Sequence, residues 1–374
     1  MTPGLSICIL SPVGYIKTIK EAAMTATETV IQNDALRILE SARFADSSHN
    51  VQPWKVKIKE PDTLIVSVAE ERRLPAVDPE NREILLSMGG FIENIVQAAE
   101  ACGYTPEAEI SVKDPFDELI AEIRLQNNGC AGEGTGVSAG TKTLNLMRSV
   151  YTDKRDLSAE PVSKEDLDAL TALDTGEGHL HYFPRGTSEA QWVESETPKA
   201  AEVQAERDAV QRELVDLMHF SKKSAAESGT GMTPEMMGLS GIARAAWYLF
   251  FTPKTMMSEK NRKTIVGIAS RQIENSGGIL AITSDSAEPA DLIAAGRLYQ
   301  RIKLAAFERG LAVHPLSQLL QEEGWKESAN EKLGTGRPVQ YIARIGYRKE
   351  KPADFEAGPA SSPGIRMAPE EFAS

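Results

Sequence analysis

Residues 46–54 read Asp46-Ser47-Ser48-His49-Asn50-Val51-Gln52-Pro53-Trp54, a polar stretch that ends in proline and tryptophan. Its first part is dense in short hydrogen-bonding side chains, which favour turns and can also bind a polar ligand. Pro53 and Trp54 follow, so the turn is predicted to be anchored where a strand enters the core. Turn formation and capping explain such Ser and Asn residues more often than ligand binding does. The stretch alone predicts a polar loop and leaves its role open.

The segments around this loop predict alternating helices and strands. Before the loop, apolar residues recur at helical spacing. After the loop, two short apolar or alternating runs flank Pro61-Asp62, which is typical of a hairpin of strands. The predicted elements are a helix at Asn33–Arg43, strands at Trp54–Ile58 and Leu64–Val68, a helix at Ile84–Cys102 that ends at Gly103, and a strand at Leu119–Leu125.

An internal repeat connects this first part of the chain with its last part. Within two long predicted helices, Gly89, Ile95, Ala98, Ala99 and Gly103 match Gly296, Ile302, Ala305, Ala306 and Gly310 at a constant offset. The strands on either side also match: Leu64–Val68 corresponds to Ile279–Thr283, and Ile120, Ala121 and Ile123 correspond to Ile342, Ala343 and Ile345. Alanine-rich helices that end in glycine are common, but the flanking strands favour a duplication.

The repeat divides the chain into two predicted halves, at residues 31–140 and 141–374. The stretch Gly129–Thr141 is rich in small residues and suits a linker. The second half carries an insertion at residues 189–259, with a charged helix at Glu202–Phe220, a glycine-rich segment after Ser228 and an apolar helix at Ile242–Phe251. Such an insertion forms either a lid over a site or a packing arm. A C-terminal tail occupies residues 350–374.

Composition excludes several classes of protein. The chain has 374 residues, 41% of them hydrophobic, and a net charge of −13, which indicates a globular protein with no support for nucleic-acid binding. The three cysteines have no CxxC spacing, so neither a disulfide framework nor a metal site is indicated, and a cytoplasmic location is expected. No apolar run approaches the length of a membrane span. Residues 1–30 are expected to form a disordered or artefactual extension, with Met24 as an alternative start.

The loop also resembles a known motif. The pattern Ser47-Ser48-x-Asn50-x-Gln52-Pro53-Trp54 is similar to the loop with which one subunit of a nitroreductase-family dimer reaches the flavin mononucleotide (FMN) of its partner. This resemblance implies that Ser47, Ser48 and Asn50 hydrogen-bond the flavin or its ribityl chain. It also implies that Gln52, Pro53 and Trp54 shape the pocket. Asp46 stands where the family usually has proline.

Segments of the second half resemble what the other subunit supplies in that family. The stretch Arg148–Arg155 is similar to a basic motif that holds the FMN phosphate, with Thr152 and Lys154 at two of its positions and Arg148 or Arg155 compensating for Val150 at the first. Without the resemblance, a solvated charge cluster explains these residues equally well. In the tail, Arg366 matches a C-terminal basic segment that returns to the phosphate, although Gly364 replaces an expected lysine. A mobile tail is the alternative reading.

The stretch Gly310–Gln318 is similar to the family segment whose backbone faces the N5 edge of the flavin. The resemblance implies that Pro315, Leu316, Ser317 and Gln318 tune the redox chemistry. Ser317 replaces an acidic residue that is frequent in the active enzymes. His314, taken alone, is more typical of a structural histidine.

The motifs of the two halves complement one another, so the chain resembles the Acg-like branch of the nitroreductase family, in which two halves are fused. The resemblance implies an α+β nitroreductase-like fold, an internally duplicated pseudo-dimer with antiparallel-rich central sheets, flanking helices and a lid-like insertion. One FMN site per polypeptide follows. A pseudo-dimeric monomer is expected, and a homodimer is compatible with the same sequence.

Two functions remain open. The first is a flavin-dependent oxidoreductase in which NAD(P)H reduces FMN and a small nitroaromatic or quinone-type molecule then accepts the electrons by a ping-pong mechanism. No catalytic side chain is required, because the flavin carries the chemistry, and no GxGxxG motif indicates a Rossmann nicotinamide site. The second is an FMN-binding or sequestering protein whose insertion closes the flavin face. The position of residues 189–259 discriminates between them.

Overall fold

The computed structural model describes residues 34–59, 62–127, 137–349 and 364–374. The extension predicted at residues 1–30, most of the linker at residues 129–141 and the tail residues up to 363 lie outside the described residues. In the described ranges, two antiparallel sheets of four strands are flanked by helices, so the α+β class predicted from the sequence is confirmed.

The first sheet forms directly after the polar loop. Its strands are adjacent as β1-β2-β4-β3, and every pair is antiparallel. In β1, Lys55, Lys57 and Lys59 are exposed and the residues between them are buried or partly buried, so the strand has one buried and one exposed face. The elements are α1 (residues 34–42), β1 (Trp54–Lys59), β2 (Thr63–Val68), α2 (Arg82–Ala101), β3 (Tyr104–Ile110) and β4 (Ala121–Asn127).

The second sheet has the same order, β5-β6-β8-β7. A long helical segment separates its first two strands. The elements up to that point are α3 (Val137–Ser149), α4 (Lys164–Thr171), β5 (His179–Pro184), α5 (Ser188–Glu206), α6 (Asp208–Asp216), α7 (Lys222–Ser228), α8 (Gly241–Phe250), α9 (Pro253–Met256) and α10 (Glu259–Glu274). The remaining elements are β6 (Gly278–Thr283), α11 (Pro289–Glu308), β7 (Leu311–Pro315), α12 (Gln318–Gln321), α13 (Trp325–Lys332) and β8 (Val339–Tyr347).

The two sheets repeat one another as units. In each, a 20-residue helix connects the second strand to the third, and a glycine with positive φ follows that helix. These glycines are Gly103, with φ of 90°, and Gly310, with φ of 78°. A left-handed conformation favours glycine because it has no Cβ, so this residue recurs where each helix ends.

In the β3–β4 and β7–β8 ladders, the strand identities found in the sequence are shifted by two residues. The first residue of β3 pairs with Asn127, and the first residue of β7 pairs with Tyr347. Ile123 precedes Asn127 by four residues in β4, and Ala343 precedes Tyr347 by four residues in β8. Ile123 therefore corresponds to Ala343 rather than to Ile345. Residues two apart face the same side of a strand, and an apolar pattern therefore cannot fix this register.

The two long helices α2 and α11 cross where the repeated glycines meet. A Cβ atom on Gly89 would lie 2.2 Å from the carbonyl oxygen of Ile293 and 2.9 Å from the Cα of Gly296. A Cβ atom on Gly296 would lie 2.1 Å from the carbonyl oxygen of Leu86. Both positions need glycine because the two backbones are in contact there. The repeat therefore places the closest contact between the halves at its own equivalent residues.

Polar contacts between the same helices are buried beside this crossing. The carboxylate of Glu93 accepts from Arg297 at 3.0 Å and from Arg301 at 3.1 Å, and Gln300 donates to Asn94 at 3.0 Å. Charged groups are seldom buried without such partners. These contacts fix the orientation of one half relative to the other.

The C-terminal residues of the second half pack on the first sheet. Val56 donates to the carbonyl of Phe372 at 2.8 Å, and Ile58 donates to the terminal residue Ser374 at 2.7 Å. The Phe372 ring lies edge-on to Trp54 and Phe91, which stack at 4.5 Å. The end of the chain therefore joins the edge of β1, and Trp54 is buried below the polar loop as the sequence predicts.

The charged helix predicted at Glu202–Phe220 is wrong as a single element. The chain is helical from Ser188 to Glu206, adopts an extended conformation at Arg207 and resumes as α6. The guanidinium of Arg207 binds the carboxylate of Glu322 at 2.9 Å and the carbonyl of Ala76 at 3.0 Å. These tertiary contacts interrupt a helix that local propensity would continue.

None of the helices in the described ranges combines the length and apolar character needed to cross a membrane. The same ranges contain no group of His, Cys, Asp or Glu residues that could hold a metal ion.

Candidate functional site

A cavity of about 230 Å³ lies between the two halves. Both halves, the insertion and the C-terminal segment contribute to its wall. It is lined by Asp46, Ser47, Ser48, His49 and Asn50 of the loop; Glu83 and Ser87 of α2; Tyr151, Thr152 and Lys154 after α3; Tyr299 of α11; His314, Pro315, Ser317, Gln318 and Gln321 around the end of β7; Tyr341 of β8; Gln204, Met232 and Met236 of the insertion; and Gly364 and Arg366 near the C-terminus.

The polar loop has an unusual backbone conformation. His49, Asn50 and Gln52 have φ of 50°, 57° and 50°, in the left-handed region that non-glycine residues seldom adopt. Each such residue costs on the order of 1 kcal/mol or more, which surrounding contacts must offset. The hydroxyl of Ser47 accepts from the Gln52 backbone at 2.9 Å, and the Ser48 backbone donates to Ser87 at 3.3 Å.

The amide side chains of the loop hold it against the insertion and the C-terminal segment. Asn50 donates to the carbonyls of Gly231 at 2.9 Å and Ile365 at 3.1 Å. Gln52 donates to the carbonyl of Gly229 at 2.7 Å and accepts from the Met367 backbone at 3.0 Å. The buried amides therefore join three segments that are distant in sequence.

One end of the cavity is cationic. Lys154 makes no ion pair or side-chain hydrogen bond within the described ranges, and its pKa is lowered by burial. Arg366 forms no ion pair with any described carboxylate, and its buried Nε has no partner. Burial, and then the charge of Arg43, lowers the pKa of Arg366 to about 10. Two partly buried cations that lack an anionic partner among the described residues make this part of the cavity suitable for a bound anion.

A third cation at this end is already paired. Lys303 of α11 has a side chain only 2% exposed and donates to the carboxylate of Asp46. It also donates to the Thr152 hydroxyl at 2.8 Å, and this hydroxyl donates to Asp46 at 3.0 Å. Asp46 therefore pairs with a buried lysine beside the cavity. This contact gives a structural role to the aspartate that stands where the resembled motif has proline.

His314 provides a neutral hydrogen-bond donor beside Lys154. The Nε atom of Arg344 donates to Nδ1 of His314 at 3.0 Å, so the proton of the neutral ring lies on Nε2. Burial, followed by the charges of Arg344 and Lys154, lowers the pKa of His314 well below its ordinary value. Because Arg344 occupies Nδ1, the Nε2–H group is the one left for a ligand.

The end of β7 presents backbone donors. Within the described ranges, the N–H groups of Ser317 and Gln318 have no intramolecular acceptor, whereas the neighbouring Leu316 donates to the carbonyl of Ile342 at 2.8 Å. Gln318 opens the short helix α12, where the first N–H groups lack partners within the helix. Both residues line the cavity, so these donors are available to a ligand that accepts hydrogen bonds.

Another part of the cavity wall holds a carboxyl group and two phenols. Glu83 is 8% exposed, and burial raises its pKa to about 7 against the opposing charge of Arg82. The rings of Tyr299 and Tyr341 stack at 4.3 Å, nearly parallel. Arg82 donates to Glu83 at 2.9 Å and to the carbonyl of Gln340.

The insertion covers part of the cavity and is attached to both halves. Gln204 lines the cavity and donates to Gln321 at 2.9 Å. Glu213 of α6 accepts from the backbone N–H groups of Ala76 and Val77 at 3.0 and 2.9 Å. Met232 and Met236 add apolar surface to the wall. The lid-like placement that the sequence left open is therefore the one observed for these residues.

The structure brings together nine of the site residues predicted from the sequence. They are Ser47, Ser48, Asn50, Thr152, Lys154, Pro315, Ser317, Gln318 and Arg366. Thr152 and Lys154 come from the segment after α3, and Arg366 comes from the C-terminal segment, so the two predicted basic elements line the same cavity.

Four predicted residues lie outside the cavity wall. Gln52 is buried behind the loop, and Leu316 packs in an apolar cluster with α5 and α13. Arg155 turns away and pairs with Asp153 at 2.7 Å, and Arg148 lies on α3 with its Nε buried and unpartnered. Neither arginine lines the cavity beside Lys154, so the compensation for Val150 expected from them is not seen.

Sequence reasoning assigned no binding role to Glu83, Tyr299, Tyr341 or His49, and it regarded His314 as structural. Glu83 and Tyr299 lie on helices whose apolar spacing indicates the core, and nothing local marks them as cavity residues. His314 could have been identified as a cavity residue, because it lies within the Gly310–Gln318 segment that the resemblance assigns to the flavin edge.

Comparisons with known proteins agree with this architecture. No protein-family model matches the chain. It is 22% identical over 329 residues to PigM of Serratia sp., a protein named as an NAD(P)H nitroreductase. The alignment covers 86% of this chain and 89% of PigM. It is 24% identical over 351 residues to Acg of Mycobacterium tuberculosis, which carries a similar name, covering 90% and 95% of the two chains.

Two solved structures align with part of the chain. A nitroreductase with bound FMN from Desulfitobacterium hafniense is 16% identical, with a TM-score of 0.33, covering 59% of this chain and 94% of its own. The FMN-dependent nitroreductase NfnB from Mycobacterium smegmatis, in complex with NADPH, is 12% identical, with a TM-score of 0.37, covering 63% and 98%. Over most of its length, the chain is therefore similar to proteins named as NAD(P)H nitroreductases, including Acg.

Proposed function

We propose that this chain binds one FMN in the cavity and transfers electrons from NADH or NADPH to a small nitroaromatic or quinone-type acceptor in two successive half-reactions. The observation that carries the proposal is the pair of partly buried cations, Lys154 and Arg366, which lack carboxylate partners in the described ranges. Burial of a cation without a partner is costly, so two such cations in the cavity wall of a chain with a net charge of −13 favour a bound anion there.

The cationic end suits the FMN phosphate. Lys154 and Arg366 would neutralise the dianion, and the Nε2–H of His314 would add a donor that carries no charge. The hydroxyls of Ser47 and Ser48 would contact the ribityl chain or flavin, as the resemblance implies.

The residues at the end of β7 suit the flavin ring. The free N–H groups of Ser317 and Gln318 are donors held by the short helix α12. Such donors stabilise negative charge that develops on a ring nitrogen or oxygen. FMN, when bound, supplies hydride and electron transfer; the protein orients the ring and excludes water with Met232 and Met236.

A single chain would provide the complete site. The loop at residues 46–50 and α2 belong to the first half, whereas Lys154, His314 and Gln318 belong to the second half. In this arrangement the chain is a pseudo-dimeric monomer, and association of two chains is not needed to complete the cavity.

A second function, an FMN-binding protein with little or no reductase activity, is favoured by the insertion. Gln204, Met232 and Met236 enter the cavity wall, and the contacts of Glu213 and Arg207 attach this segment to the rest of the chain. If the insertion stays closed, a nicotinamide ring cannot stack on the flavin.

An absorbance spectrum of the purified chain, followed by anaerobic addition of NADH or NADPH, discriminates between the two. Flavin bands that bleach with a nicotinamide identify the oxidoreductase. Bands that persist with both nicotinamides but bleach with dithionite identify the closed FMN-binding protein. A colourless chain that cannot be reconstituted with FMN would refute both.

A further inference from the structure

The carboxyl and phenol end of the cavity has donors that the cofactor-binding groups do not use. Tyr299 is 3% exposed, and its hydroxyl is buried without a hydrogen-bond partner among the described residues. The hydroxyl of Tyr341 also makes no hydrogen bond to a described residue. An unpartnered buried hydroxyl costs on the order of 1 kcal/mol or more, so its presence in a cavity wall indicates a ligand.

Glu83 lies between these phenols and its neighbour Arg82. One carboxyl oxygen of Glu83 accepts from Arg82 at 2.9 Å, and the other has no donor within the described ranges. The groups that face it are Arg82 and Asp78 from its own segment, Tyr299 from α11 and Tyr341 from β8. Burial and the carboxyl of Asp78 oppose ionisation, and Arg82 favours it.

We propose that Glu83, flanked by the hydroxyls of Tyr299 and Tyr341, binds the oxygen atoms of the electron acceptor and donates the proton that its reduction requires. This inference rests on the proposed function. It assigns this end of the cavity to a neutral acceptor that presents carbonyl or nitro oxygens, with 1,4-benzoquinone as the simplest probe.

The reaction requires one proton in addition to a hydride, and Glu83 can supply it. Reduction of a quinone by one hydride adds two electrons and one hydrogen and leaves a hydroquinone anion. Transfer of the Glu83 proton to the anionic oxygen breaks the O–H bond of the carboxyl group and gives the neutral hydroquinone. The carboxylate that remains is held by Arg82 until it regains a proton from water, and the two phenol hydroxyls donate to the acceptor oxygens in both states.

The substitution Glu83→Gln tests the proton without removing the contact to Arg82, because the amide oxygen still accepts. Glu93→Gln is a matched control: Glu93 is also buried on α2 but pairs with Arg297 and Arg301 outside the cavity. Infrared difference spectra recorded across a pH titration are expected to show a protonated carboxyl group near neutral pH. It should be lost in Glu83→Gln and retained in Glu93→Gln. A wild-type spectrum without this band, or an unchanged band in Glu83→Gln, would overturn the proposal.

Rapid mixing of dithionite-reduced, FMN-loaded protein with 1,4-benzoquinone measures the oxidative half-reaction alone. For the wild type we expect a rate that falls as the pH rises through about 7, and for Glu83→Gln a rate roughly 100-fold lower and independent of pH, as for loss of a general acid. The double change of Tyr299→Phe and Tyr341→Phe is expected to weaken quinone binding and to retain the pH profile.

The two half-reactions separate this inference from the proposed function. If NADH and NADPH fail to reduce the flavin while the oxidative half-reaction depends on Glu83, the proposed electron donor is wrong and the proton-donor assignment holds. If nicotinamide reduces wild-type and Glu83→Gln proteins equally and both also reoxidise equally, the proposed function holds and the role of Glu83 is refuted. A wild-type oxidative rate that is flat from about pH 5 to about pH 9 refutes it even where a variant does not fold.

Discussion

Replacing Gly89 by alanine is expected to destabilise the junction between the two halves. The new Cβ atom would lie 2.2 Å from the carbonyl oxygen of Ile293, whereas ordinary contacts begin at 3.4 Å. The obstructing atoms belong to the backbone of α11, so no side chain can rotate away. Helices α2 and α11 must therefore separate by about 1 Å, or the α2 backbone must bend, which disturbs the close packing typical of protein interiors.

The magnitude follows from two opposing effects. Overpacking in a well-packed interior costs roughly 1–3 kcal/mol. Alanine in place of a mid-helix glycine recovers up to about 1 kcal/mol through its better helix propensity. The net loss is expected to be about 1–2 kcal/mol, which lowers Tm by several degrees in a chain of this size.

Two matched glycines isolate the steric effect. Gly90, the next residue of α2, has its nearest neighbour at 3.6 Å on the side chain of Gln300, and Gly267 of α10 has nothing within 4 Å. Gly90→Ala is expected to be nearly neutral, and Gly267→Ala to stabilise the protein by up to about 1 kcal/mol. Thermal and urea unfolding followed by circular dichroism measure all three. A Gly89→Ala protein as stable as Gly267→Ala would refute the close crossing of the helices.

Three further predictions follow from the site and the chain end. Lys154→Met is expected to weaken FMN binding at least about tenfold in a flavin-fluorescence titration, and Lys199→Met, at an exposed position, is the control. Riboflavin lacks the phosphate and should bind the two variants with equal affinity. If Lys154→Met weakens riboflavin binding as much as FMN binding, Lys154 does not contact the phosphate. Folding raises the pKa of Glu83 from 4.5 to about 7, so the folded state favours its neutral form. The Tm of the wild type relative to that of Glu83→Gln should therefore fall as the pH rises from about 4.5 to about 7 and then level off. A Tm difference between the two proteins that does not change with pH would contradict the raised pKa. Phe372→Ala should cost about 3 kcal/mol in urea unfolding because it removes a buried ring beside β1, whereas removal of the exposed Phe250 ring should cost little; equal effects would show that the chain end is not docked.

Much of the fold could be predicted from the sequence because its signals are local. Alternation of apolar residues identified the first two strands, helical spacing identified α2 and α11, and Gly103 and Gly310 marked where those helices end. The repeat could be found for the same reason, since equivalent elements keep equivalent patterns. The strand register could not, because a shift of two residues leaves the pattern unchanged.

The basic residues of the site illustrate a similar limit. Lys154 and Arg155 are adjacent in a charged segment, yet only Lys154 enters the cavity, whereas Arg155 pairs with Asp153. Adjacent side chains point in different directions, and the choice of partner depends on which other segments pack nearby. The helix predicted through Arg207 failed likewise, because the contacts that interrupt it come from distant residues.

Recurring patterns in the sequence predict a duplicated α+β protein with a polar loop in one half and basic and glycine-rich segments in the other. The tertiary structure was needed to show that Glu83, Tyr299 and Tyr341 line the same cavity and that the insertion contributes to its wall. More than 200 residues of chain separate Glu83 from Tyr299 and Tyr341, and burial in the folded protein raises the pKa of Glu83. Burial and charge act through space, and neither is recorded in the order of adjacent residues.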